Sequence, residues 1–99
     1  MRVPKNLTER ELERKLVQAV RAADGICPKF TGPGFDGMPD RIVLLPEGGI
    51  GFVEVKWHGE KLRPLQESRR ILLRQLGFQV FVLDNIHQIN YILEEIQNG

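Results

Sequence analysis

The sequence predicts a mixed α/β domain, with elements in the order α-β-β-β-α-β-α and helices packed on a mixed sheet. Three observations carry that prediction. Three segments place apolar residues at helical spacing behind a recognisable start signal. Short runs rich in Val, Ile and Phe lie between them, and Gly- and Pro-containing stretches separate those runs.

Leu7-Thr8-Glu9-Arg10-Glu11-Leu12 opens the first helix. Thr8 at the N-cap and Glu11 three residues on form a capping box, and Leu7 and Leu12 are spaced for a hydrophobic staple. Leu12, Leu16, Ala19, Val20 and Ala23 make one apolar stripe, ending near Asp24-Gly25. Residues 26–30 are a short strand candidate interrupted by Pro28, and residues 31–37, with three glycines, read as a loop. Strands are expected at about 40–45 and 50–57, joined by the hairpin signal Pro46-Glu47-Gly48-Gly49. Pro64 suits the first turn of a second helix carrying Leu65, Leu72, Leu73 and Leu76, with Gly77 at its C-cap. Residues 78–83 alternate as a strand. Asp84 or Asn85 then caps a last helix with Ile86, Ile89, Ile92, Leu93 and Ile96 at helical spacing.

Ninety-nine residues make one domain, spanning 1–99, with little room for accessories. No apolar run approaches a membrane span and no leader pattern is present, so no membrane partner is expected. Cys27 is the single cysteine, which leaves disulfides and a cysteine zinc site unsupported; it reads as a small buried strand residue. His58 and His87 stand apart and read as solvated. Net charge is only +1, but its distribution is uneven. Residues 1–21 and 54–74 each hold six basic and three acidic side chains, whereas the other segments are net acidic. Basic charge therefore flanks the middle of the chain, as phosphate-contacting surfaces require, although a solvated helix face has the same composition.

The stretch Met38-Pro39-Asp40-Arg41 and the later run Phe52-Val53-Glu54-Val55-Lys56 carry the chemistry. Residues i and i+2 of a strand share a face, which sets Glu54 and Lys56 together, ~6.6 Å apart along the chain. Asp40 stands at the mouth of the preceding strand and reaches the same face. An acid and a lysine two apart on a strand are ordinarily a solvated edge pair. Here the run from Ile50 to Trp57 is apolar on both faces, as in a strand covered on both sides, where charges are costly unless paired. Two hard oxygen ligands beside a cation suit a divalent metal and an attacked phosphate.

These motifs resemble the PD-(D/E)xK nuclease superfamily. The fuller string of Lys29-Phe30, Gly37-Met38-Pro39-Asp40-Arg41, Phe52-Val53-Glu54-Val55-Lys56 and Pro64-Leu65-Gln66 resembles the VRR-NUC family, in particular its short stand-alone phage and prophage members. The resemblance runs from about Thr8 to Ile96. It implies a restriction-endonuclease-like core and a Mg²⁺- or Mn²⁺-dependent endodeoxyribonuclease with no small-molecule cofactor. Asp40, Glu54 and the Val55 carbonyl would bind the metal, Lys56 would position or deprotonate water, and the products would be a 5′-phosphate and a 3′-hydroxyl.

The resemblance also implies a first-helix glutamate near the metal. Glu11 is accounted for by the capping box; Glu9 and Glu13 remain, one turn apart on the same side. Glu9 projects within roughly 30° of the stripe's centre and is favoured. By the same resemblance Gln66 faces the site, bonded to water or a phosphate oxygen. Lys29, Lys61, Arg63, Arg69 and Arg70 are candidate phosphate contacts. Trp57, ending an apolar run, reads as packing rather than base stacking.

The expected substrate is branched or structured DNA. A junction has two strands to cut and this chain one site, which implies a homodimer of Holliday-junction-resolvase type in the cytoplasm of a bacterial host. Its dimer face would lie on the last helix or the hairpin edge. A sequence-specific restriction-type endonuclease shares the core, but this length leaves little for reading bases. A non-catalytic DNA-binding module would show decay of Asp40, Glu54 or Lys56, and all three are intact. No phosphate-cradling Gly loop followed by Lys-Ser/Thr supports a phosphatase.

Overall fold

In the computed structural model, which describes residues 7–99, Thr8 starts the first helix as its capping box requires. The Thr8 hydroxyl accepts from the Glu11 N–H at 3.1 Å, and Glu11 Oε1 accepts from the Thr8 N–H at 3.0 Å. Helix α1 (Glu9–Ala22) then buries Leu12, Leu16 and Val20, while Leu7 packs against the same core as the staple predicts. Arg2 and Lys5, part of the N-terminal basic segment, lie outside the described residues.

The chain turns at Asp24, which takes the left-handed conformation itself (φ 65°). Gly25 serves a different purpose: a Cβ there would stand 2.4 Å from the Leu44 carbonyl oxygen. Gly25→Ala is therefore expected to cost about 1–3 kcal/mol, read as a lower denaturant midpoint, because backbone must move to admit one methyl.

Residues 26–30 run antiparallel beside β1 (Arg41–Leu45) but do not form a regular strand. Two isolated bridges hold them, Ile26 to Leu44 and Lys29 to Arg41. Pro28 lies between the two and has no N–H to give, which interrupts the ladder. The segment still covers the outer edge of β1 and places Cys27 in the core, where burial pushes its thiol up to about 11.

A 3₁₀ turn at Pro46–Gly48, with Glu47 and Gly48 at positive φ, joins β1 to β2 (Gly49–Val55). These two strands are antiparallel, and β3 (Gln79–Leu83) lies parallel to β2 on its other side. β2 is central and buried from Gly51 onward, as its apolar run predicts. The α2 crossover (Pro64–Gln75) covers one face of the sheet, with Leu73 against Phe52 and Val80. The other face carries α1 and α3 (Ile89–Asn98) over Val43, Leu45, Val53, Val55 and Leu83. Asn85 caps the 3₁₀ turn Ile86–Gln88 that leads into α3, accepting from the His87 N–H at 2.9 Å.

Two apolar helix faces differ from the expectation. Leu65, Leu72 and Leu76 of α2 are exposed, because Leu73 and Gln66, on the adjoining side of the helix, are the residues turned onto the sheet. On α3 the reverse holds. Ile89, Ile92 and Ile96 fill the core and Leu93 packs against it, while Ile86 and Tyr91 remain exposed. The hairpin edge is taken by residues 26–30.

Candidate active site

The β1–β2 register builds the site. Arg41 pairs with Val53 and Ile42 with Phe52, so one step further sets Asp40 opposite Glu54. Cross-strand partners share a face. Asp40, Glu54 and Lys56 thus join Phe52 on the side covered by α2, while Arg41 points to the α1 side. The Val55 N–H donates to Asp40 Oδ2 at 2.9 Å, which closes the end of the hairpin over the carboxylate.

Glu54 and Lys56 are almost fully buried, at 5% and 7% exposure. Lys56 Nζ lies 4.0 Å from Glu54 Oε2 and 3.6 Å from Glu60 Oε1. Gln66 is buried as well, and both ends of its amide are engaged. Its Nε2 donates to Glu54 Oε2 at 2.9 Å, and its Oε1 accepts from the Arg63 N–H at 2.9 Å. Gln66 therefore orients Glu54 instead of presenting its amide to solvent.

Glu54 Oε1 is buried without a hydrogen-bond partner, which is costly for an anionic oxygen. Burial pushes the Glu54 carboxyl up to about 7; the Asp40 charge adds to this, while Lys56 and Arg63 oppose it. As carboxylates, neither Asp40 nor Glu54 can donate to the other. A proton on Glu54 would bridge the pair, and the two carboxylates would equally supply hard oxygen ligands to a divalent cation. The donor set fits a hard ion of the Mg²⁺ type, which takes one or two carboxylates and keeps several waters. Among the described residues no group of three or more His, Cys, Asp or Glu forms, so the pair stands without a third such ligand.

The two first-helix candidates separate. Glu13 lies on the opposite face of the sheet, where its Oε2 accepts from Arg41 Nε at 2.8 Å; Arg41 also reaches the Cys27 carbonyl at 2.7 Å. Glu13 is thus part of a strut between α1 and β1, remote from Asp40 by strand alternation. Glu9, one turn earlier, reaches the end of β2, where Oε1 accepts from the Trp57 N–H at 3.1 Å. It borders the site without joining the carboxylate pair.

The basic candidates also divide. Arg63 is exposed and its charge acts on Glu54. Lys29 and Lys61 are exposed. Arg69 is engaged: Nε donates to the Asp36 carbonyl oxygen at 2.7 Å and its guanidinium lies 3.7 Å from the Phe35 ring centroid. Arg70 is paired with Glu67, and with Lys61 it lines a cleft along β3 that also takes in Glu60, the partner of Lys56. Trp57 is 48% exposed, contrary to the packing expectation, because β2 ends at Val55 and Trp57 lies beyond the covered layer. His58 is exposed as expected. Strand periodicity alone gave no signal for Glu60, whose contact to Lys56 comes from the turn after β2.

Residues 5–85 match the family model described as "VRR-NUC domain". A protein of Acyrthosiphon pisum secondary endosymbiont phage 1 with the printed name "Putative nuclease p44" is 48% identical over 79 residues, or 80% of this chain and 85% of that protein. A solved structure described as "VRR_NUC domain" superposes with TM-score 0.82 at 32% identity, over 87% of this chain and 94% of its own. A second, "VRR_NUC domain protein", gives TM-score 0.74 at 21% identity over 96% and 93%, a likeness of fold. No helix of the described residues is long and apolar enough to cross a membrane.

Proposed function

The chain belongs to the VRR-NUC family, and from that membership we propose that it is a divalent-cation-dependent endonuclease of branched or structured DNA, working as a homodimer. The observation that carries the chemistry is the buried Glu54 carboxylate facing the half-buried Asp40, with Glu54 Oε1 unpartnered and Lys56 beside it. Asp40, Glu54 and the Val55 carbonyl would hold Mg²⁺ or Mn²⁺. When bound, such an ion supplies Lewis-acid polarisation of the phosphate and lowers the pKa of water.

The chain's own residues do the rest. Lys56, fixed between Glu54 and Glu60, presents a cation where negative charge builds on the phosphate, and its ammonium can orient the attacking water. Gln66 keeps Glu54 aimed at Asp40 by occupying the oxygen that would otherwise rotate. The Val55 N–H does the same for Asp40. Arg63, Lys61 and Lys29 are the exposed cations available to phosphates along the strand. Glu9 acts through the peptide after Lys56, holding the end of β2 in place.

Two strands of a junction need two sites, which supports a symmetric pair. The exposed Leu65, Leu72 and Leu76 stripe of α2 is an apolar surface such a pair could bury. The test is cleavage of labelled four-way junctions, flaps, splayed arms and linear duplex. Activity with Mg²⁺ or Mn²⁺, its loss in excess chelator, a preference for the junction and a mass of two chains by light scattering are expected. Undiminished cleavage in chelator removes the metal mechanism. A monomer cutting plain duplex equally well removes the resolvase reading and leaves the nuclease.

A further inference from the structure

The loop of residues 31–38 begins beside Asp40 and returns to it in sequence. Phe30, just before it, donates its N–H to the Asp40 carbonyl oxygen at 2.8 Å, and Met38 stands two residues ahead of Asp40. The loop shapes a cavity of about 340 Å³ walled by Phe30, Phe35 and Met38, with Thr31 and Asp36 as its polar groups. That volume is at the lower end of the ~300–1,000 Å³ of small-molecule sites.

Phe35 is 43% exposed, yet it is firmly held. Its N–H donates to the Gly32 carbonyl at 2.8 Å, and Arg69 stacks on the ring while binding the next carbonyl, that of Asp36. Gly37 (φ 86°) lets the loop press onto α2, where a Cβ would stand 2.7 Å from Leu65 Cγ. Arg69 lies over one face of the ring, and Phe35 itself lines the cavity. The cavity's other walls, Phe30 and Met38, pack against Phe52, two residues before Glu54 on the same strand face. The fixed and half-exposed Phe35 ring thus belongs to the loop that flanks the site and contributes little to the core. It is well placed to stack a planar ligand.

We infer that this cavity is a subsite for an unpaired nucleobase, stacked on Phe35 in the loop that leads into Asp40. The inference rests on the nuclease reading and gives it a substrate feature, a base outside the duplex next to the cut phosphate. A base within a duplex is already stacked on both faces and cannot enter. Any of the four unpaired bases can, because aromatic stacking is tolerant of sequence.

Binding is measured by fluorescence anisotropy with chelator at low salt, using the full chain. The probes are a labelled duplex and the same duplex carrying one bulged 2-aminopurine nucleotide. The wild-type chain is expected to prefer the bulged probe and to quench its 2-aminopurine. Phe35→Ala should lose about ten-fold on the bulged probe, equal to about 1.4 kcal/mol, with no loss on the duplex. Phe35→Trp should restore both affinity and quenching. Circular dichroism checks that the variants are folded. An equal loss on both probes, no loss, or no rescue by Trp overturns the subsite. Absence of binding to either probe overturns the DNA reading as well, whereas binding without discrimination overturns the subsite alone.

Discussion

Asp40→Ala and Lys56→Ala are each expected to reduce DNA cleavage by at least roughly 10²–10³-fold while leaving a folded chain. The two variants should differ in a second property. Removing Asp40 deletes a charge that raises the Glu54 carboxyl, so Glu54 ionises more easily; removing Lys56 deletes the cation that lowers it, so Glu54 holds its proton to higher pH. Equal losses of activity with opposite shifts of Glu54, followed by NMR titration of its carboxyl carbon, would show the three residues acting as one electrostatic unit.

The second large effect concerns stability. Glu54 titrates near 7 in the folded chain against 4.5 for the free group, burial being the main cause. Between those values the folded state carries a proton that the unfolded chain has released. Stability of the metal-free protein therefore falls as pH rises from about 4.5 to about 7, by up to about 3 kcal/mol from this group. Glu54→Gln keeps the shape and the Gln66 bond without the charge. It is expected to raise Tm at pH 8, flatten the pH dependence and abolish cleavage. Thermal unfolding in chelator at pH 5.5 and 8 measures it; an unchanged pH dependence would mean that Glu54 is not the buried charge described.

Much of this was legible because strand geometry is simple. Alternation along β2 put Glu54 beside Lys56, readable from residue spacing, and Asp40 was expected on the same face. Its place opposite Glu54 comes from a register that pairs Leu45 with Gly49, one residue earlier than the expected strand bounds imply. Alternation also explains what helix spacing could not decide. Glu9 and Glu13 share a helix face, but only the sheet shows that Glu13 meets Arg41 on the far side, while Glu9 reaches Trp57 at the strand end. Gln66 was placed by family resemblance alone. Its bond to Glu54 depends on how α2 docks, which leucine spacing misreported: the Leu65, Leu72 and Leu76 stripe faces solvent. The strand at 26–30 failed at Pro28, where one missing N–H breaks a ladder that residues on either side still attempt. Trp57 belonged to an apolar run in sequence but lies past the point where cover ends.

The most direct measurement is cleavage of a labelled four-way junction in Mn²⁺ by the Asp40→Asn/Glu54→Gln double variant, confirmed as folded by its thermal unfolding. Both changes preserve shape and remove the negative charge that would hold a cation. The account predicts junction binding without product at enzyme concentrations where the wild-type chain cuts to completion. Cleavage by the double variant at the wild-type rate would contradict it, because the reaction would then occur elsewhere on the chain.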